Sequence, residues 1–201
     1  MKNTTVTRAK NPILVLALAF ALMAALLVGC GSTAEPEDAD EAATDASTDE
    51  AVATPDETYK LHAKYGGIKF DLPEGWTALV TDGVLSMEVP EGGAADVSVQ
   101  GTIIRNAVTE GEEQASVDAC MDGIMQTLSE QEGYAEGDYS AEIEGIPSRV
   151  AKCSLSANGM MVEVYVVAVA VDSNVTNLIM ASSEGECDAE FESIIDSITL
   201  A

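Results

Sequence analysis

"SRVAKCSLSANGMMVEVYVVAVAVDS" runs from Ser148 to Ser173. Two apolar, β-branched runs flank Asn158-Gly159, and Asn-Gly between such runs is a strong short-range signal for a tight β-hairpin. The second run, Met160 to Val171, is apolar at both odd and even positions, with Glu163 as its one break. A strand that is apolar on both faces belongs in the middle of a sheet with material packed on each side. The run is also too short to cross a bilayer, which takes about 20 residues as a helix. A central, doubly covered strand therefore sets the architecture, and the rest of the chain must supply its neighbours and covers.

Upstream, "YKLHAKYGGIKFDL", Tyr59 to Leu72, puts Ile68, Phe70 and Leu72 on one face and Lys69 and Asp71 on the other. Such alternation reads as strand. Pro73-Glu74-Gly75 is a turn signal, and Trp76 restarts extended chain. "GVLSMEVP" alternates Val84, Ser86 and Glu88 against Leu85, Met87 and Val89, and "DVSVQGTII" follows a glycine-rich turn at Gly92-Gly93. The period then changes. Val117, Cys120, Met121, Ile124, Met125 and Leu128 recur at helical spacing and make one apolar stripe. Thr109 with Glu112 has the spacing of a capping box, and Gly133 is placed to end the helix. Downstream, "VTNLIMASS" is a further strand. Cys187, Phe191, Ile194, Ile195 and Ile198 share a helical face in "ECDAEFESIIDSITL". Strands, helix, strands and final helix predict an α+β fold over 59–201, an antiparallel sheet flanked by helices.

Two stretches resemble a known family. "GIKFDLPEGW", Gly67 to Trp76, is similar to the strand–turn–Trp signature of PsbP/Mog-like domains, and "FESIIDSITL", Phe191 to Leu200, is similar to their C-terminal helix. Envelope lipoproteins of the LpqN kind share that fold. The resemblance implies an α/β/α sandwich and a binding or accessory role, and it transfers no catalytic residue.

The N-terminal part reads differently. Lys2, Arg8 and Lys10 precede the uninterrupted apolar run Ile13 to Val28, which has the length of a signal-peptide core. "LVGC", Leu27 to Cys30, directly follows and resembles the bacterial lipoprotein lipobox. That resemblance implies removal of residues 1–29 as a signal peptide. It also implies that Cys30 receives a diacylglyceryl thioether before that cleavage and carries palmitate-class acyl chains in the mature protein. Residues 30–58 carry the lipidated cysteine and a tether of Ala, Thr, Ser, Pro and acids, too polar to fold. Its 28 residues from Gly31 to Thr58 span roughly 30 Å as a flexible chain.

The charge of −26 divides into +3 for residues 1–30, −10 for 31–58 and −19 for 59–201. So acidic a body excludes nucleic acid, whose binding needs Lys and Arg to replace phosphate counterions. It also cannot adhere to an anionic membrane by charge, whereas two or more acyl chains anchor firmly. The expected location is the extracytoplasmic face of the cell membrane, held by the lipid on Cys30.

Candidate chemistry is sparse. Cys120, Cys153 and Cys187 allow one disulfide and one leftover thiol, with the pairing open. No CxxC, GxSxG, phosphate loop or EF-hand pattern is present. His62 is the only histidine, and Glu163 is a lone acid in a buried-looking strand. Trp76 is a core plug beside a turn or, if exposed, a contact residue. No catalytic residue, metal ligand or cofactor is assigned. The expected function is a non-enzymatic accessory module that binds an unidentified protein or envelope ligand. An acidic cation-binding module and a carboxylate-dependent hydrolase are the alternatives.

Overall fold

The structure, a computed structural model, describes residues 54–55, 61–90, 96–157 and 159–201. The signal segment, Cys30, most of the tether, the Gly92-Gly93 turn and Asn158 lie outside the described residues. The elements are β1 (Thr54–Pro55), β2 (Leu61–Tyr65), β3 (Ile68–Asp71), β4 (Thr77–Thr81), β5 (Val84–Glu88), β6 (Val97–Ile104), α1 (Glu113–Ser129), β7 (Ala135–Glu136), β8 (Ser148–Ala157), β9 (Met160–Val171), β10 (Asn174–Ser183), α2 (Asp188–Asp196) and β11 (Thr199–Leu200). A seven-stranded sheet runs β4-β5-β6-β10-β9-β8-β7, and a four-stranded sheet runs β1-β2-β3-β11. Every strand pair in both is antiparallel.

β9 lies inside the large sheet between β8 and β10, as its two apolar faces require. Its odd-even alternation separates two cores. Tyr165, Val167 and Val169 face one cluster, with Phe191, Ile194 and Ile195 of α2 and Ile68 and Phe70 of β3. Val162, Val164, Val166 and Ala168 face the other, with Val117, Cys120, Met121, Ile124 and Leu128 of α1. The sheet is thus flanked by a helix on each side. The α2 side also carries the small sheet, a feature the sequence pattern did not separate.

One register row makes the α2-side core explicit: Val80, Leu85, Gly101, Leu178, Val167 and Val150 lie side by side across six strands. Gly101 is the gap in that row, and Tyr65 fills it. A Cβ there would stand 2.8 Å from the Tyr65 ring and 2.9 Å from Leu85 Cβ. The Tyr65 hydroxyl, with its single proton, stands within donating distance of both Gly83 O at 2.7 Å and Gly101 O at 2.9 Å, tying the small sheet to the large one. Burial pushes its pKa up to about 12, so the donor stays protonated.

Several local expectations are corrected. The alternation at Ile68 and Phe70 is β3, and a second strand, β2, precedes it, because Gly66 and Gly67, both at positive φ, turn β2 back along β3. Thr109 and Glu112 form no capping box. The N-cap is Glu112, which makes no side-chain cap bond, while the Glu113 carboxylate accepts Gly111 N–H at 2.9 Å. Glu112 N–H instead closes a turn on Thr109 O. Gly133 does not end α1, which stops at Ser129; its positive φ serves the following turn. The last helix stops at Asp196 rather than reaching Leu200. Ser197 Oγ donates to Ile194 O and accepts Asp71 N–H, and Thr199–Leu200 then pairs with β3. Pairing of Thr54 and Pro55 with β2 also falls within the stretch read as tether.

Candidate functional site

Two regions stand out: a polar knot at the start of α2 and an uncovered area of the large sheet.

The knot is built from β8, β9 and α2. Register sets Lys152 opposite Tyr165, with Glu163 two residues along on the same face. Lys152 Nζ lies 2.7 Å from Asp188 Oδ2, 3.6 Å from Glu163 Oε2 and 4.9 Å from the Tyr165 ring centroid. Tyr165 donates to Glu192 Oε1 at 3.2 Å. Its ring also meets Tyr139 and Phe191 edge-on at 5.3 and 5.7 Å. Burial pulls the Lys152 pKa down, but hydrogen bonds to Asp188 and Tyr165 and the nearby charges outweigh it, so the net shift is upward. Burial pushes Tyr165 up to about 12. Next to the knot, burial and then Glu190, Glu186 and Asp188 push the Cys187 thiol up to about 11. The lysine, tyrosine and cysteine here all keep their protons through neutral pH, which suits a clamp holding the start of α2 on the sheet. Such groups are poorly matched to proton transfer near neutrality. Glu163, the lone acid of β9, is an ion-pair partner within this clamp.

The remaining sequence candidates fall elsewhere. Trp76 is buried and meets the Phe191 ring edge-on at 6.3 Å, so it is a core plug and offers no contact surface. His62 is buried opposite Asp71 on β3, with Nδ1 2.5 Å from Asp71 Oδ1. Ser197, bonded to the Asp71 backbone, gives its own proton to Ile194 O. Cys120 and Cys153 belong to the α1-side core and Cys187 to the α2-side core. Cys153 and Cys187 are free thiols, and Cys120 Sγ lies 3.6 Å from Asn177 Oδ1. Burial, with Glu163 adding to it, pushes Cys153 up to about 12. Among the described residues no group of three or more His, Cys, Asp or Glu could hold a metal ion. No helix there is long and apolar enough to cross a membrane.

The second region emerges from strand register. On the α1 side of the large sheet one row runs Leu79, Ser86, Gln100, Ile179, Val166 and Ala151. α1 packs on β8, β9 and β10, which covers the last three positions. Among the described residues no helix packs on the first three. Around them lie Thr77, Thr81, Val84 and Thr102, with Glu88 at one margin, and Leu79 at 57% exposure is the most exposed apolar side chain. The platform is uncharged at its centre, where Leu79, Ser86 and Gln100 stand. Its outer boundary is β4, the edge strand, whose sequence Thr77-Ala-Leu-Val-Thr81 has no charge and no proline. Sequence reasoning missed this surface, since its members are spread over three strands.

No protein-family model matches the chain, and no curated protein matches it. Solved structures do. The crystal structure of LpqN, involved in cell envelope biogenesis of Mycobacterium tuberculosis, superimposes with a TM-score of 0.50 at 13% identity, over 67% of this chain and 83% of that one. The solution structure of cyanobacterial PsbP (CyanoP) from Synechocystis gives a TM-score of 0.48 at 11% identity, over 67% and 87% of the two chains. The likeness to LpqN establishes the fold that the sequence resemblance implied, a mostly antiparallel sheet with two helices.

Proposed function

We propose that this chain is a lipid-anchored, extracytoplasmic binding module. Acyl chains on Cys30 hold it to the outer face of the cell membrane, the acidic segment sets it off from the bilayer, and the open β4–β6 platform receives a protein or envelope ligand. The observation that carries the binding role is the half-covered sheet face: Leu79, Ser86 and Gln100 share a register row with residues lying under α1, yet no described helix packs on them; Leu79 is exposed and the other two are half-buried. An antiparallel sheet tolerates one wet face, and a patch uncharged at its centre within a body of charge −19 is a selective surface. LpqN, which shares this fold, is itself involved in cell envelope biogenesis, and that analogy supports the role. The protonated state of Lys152, Tyr165, Cys153 and Cys187 favours binding over acid–base or thiolate chemistry.

Fractionation of the native cell tests the anchor. The chain is expected in the membrane fraction with a mature terminus at Cys30 bearing acyl mass, and Cys30→Ala is expected to abolish both. A membrane-independent mature protein without fatty acid refutes it.

A further inference from the structure

We infer that the β4 edge is a strand-addition site for an extended, basic-flanked segment of a partner protein. The inference deepens the binding role proposed above and rests on it.

The hairpin geometry decides which backbone groups are on offer. Asp82 and Gly83, at φ 53° and 77°, form a two-residue turn between Thr81 and Val84. Such a turn makes Thr81 and Val84 a hydrogen-bonded pair, and bonded and non-bonded pairs then alternate along the ladder. Thr77, Leu79 and Thr81 therefore bond inward to β5. Ala78 and Val80 direct their N–H and C=O groups outward from the sheet. Among the described residues β4 pairs only with β5, so those groups meet no other described strand.

Folded proteins usually blunt such an edge with lysine, proline, a bulge or extreme shortness. β4 has five residues, regular register and none of these devices. The other end of the sheet contrasts with it, since β7 is two residues long. A bare edge invites self-pairing, but here the charge opposes that, because two copies approach as bodies of equal and large negative charge. The same charge selects a partner of opposite sign. From Phe70 to Ile104 the chain carries six acids and no base. Glu74 and Glu88 stand exposed at the Thr77 end of β4, and Asp82 stands exposed at the Thr81 end. The following base, Arg105, lies just beyond β6, two strands in from the edge. An added strand of about 17 Å would thus carry Thr, Val or similar residues at its centre and Lys or Arg at its ends. Backbone bonds supply affinity in this mode and side chains supply selection.

The test uses the full chain in detergent and a short synthetic peptide of alternating threonine and valine with paired lysines at each end. Two control peptides accompany it: one N-methylated at alternate backbone nitrogens, and one with glutamates replacing the lysines. The expected result is binding of the lysine peptide alone, several-fold weaker at high salt, with slowed amide exchange at Ala78 and Val80. Equal binding of the N-methylated peptide would reduce the site to a charge patch, and equal binding of the glutamate peptide would remove charge selection; either overturns the inference. So do failure of all three peptides and a homodimer that protects the same amides. If a peptide instead perturbs Ser86 and Gln100 without protecting Ala78 and Val80, strand addition is refuted while the platform reading survives.

Discussion

The two halves of one sheet face differ in a way that the opposite face does not. On the α2 side, every strand from β4 to β8 contributes to a continuous apolar row, interrupted only by the glycine that admits Tyr65. On the α1 side, the row from Ala151 to Ile179 is covered by α1, while Gln100, Ser86 and Leu79 are not. Stability is concentrated in the first three strands of that face, and the last three are left free for contact. A single helix of 17 residues, about 26 Å long, cannot shield seven strands spaced about 4.8 Å apart when it lies along only part of them.

Substitutions should expose this contrast, beginning with the face that is covered throughout. Phe191→Ala removes a fully buried ring set between Trp76 and Tyr165 and is expected to cost about 4 kcal/mol in urea unfolding. A loss under 1 kcal/mol would mean that the α2 side is not the main core. Ile124→Ala, on α1 over the covered half, is expected to cost about 3 kcal/mol by the same measurement. Leu79→Thr, on the open half, should lie within about 0.5 kcal/mol of the parent, because exposed positions contribute little. Equal costs at positions 124 and 79 would erase the distinction between the halves.

Alkaline pH probes the covered side by another route. Burial raises Tyr65 and Tyr165 from 10.0 to about 12 in the folded chain, so the folded state holds protons that the unfolded chain has released. Their contribution to stability is complete below about pH 10 and is lost as the pH rises toward 12. The urea midpoint should fall across that window, in step with tyrosinate absorbance; a flat midpoint contradicts the assignment. The thiols give the smallest signal. At pH 8, Cys153 and Cys187 should resist alkylation in the folded chain and react once urea unfolds it, since burial disfavours their thiolates.

Periodicity in the sequence marks the covered half. β9 is legible because both of its faces are apolar, and the α1 stripe is legible because Val117, Cys120, Met121, Ile124 and Leu128, spaced for one helical face, are all buried. What stayed hidden depends on tertiary pairing. Ile198 fits the helical spacing of α2, yet pairing of Thr199 and Leu200 with β3 ends the helix before it. Lys152 and Asp188 are 36 residues apart, and nothing local joins them. The platform is subtler still. Leu79, Ser86 and Gln100 are unremarkable in three separate strands, and only register sets them side by side. Trp76 shows the opposite case: an aromatic beside a turn reads as a core plug, and it lies in the core.

The most direct test of the open half is native-state hydrogen exchange of the individual β4 amides in the full chain without a partner. Ala78 and Val80 should exchange rapidly while Leu79 and Thr81, bonded to β5, exchange slowly. Uniformly slow exchange through all four would show that the edge is already covered, and the account of a surface held open for a partner would fail.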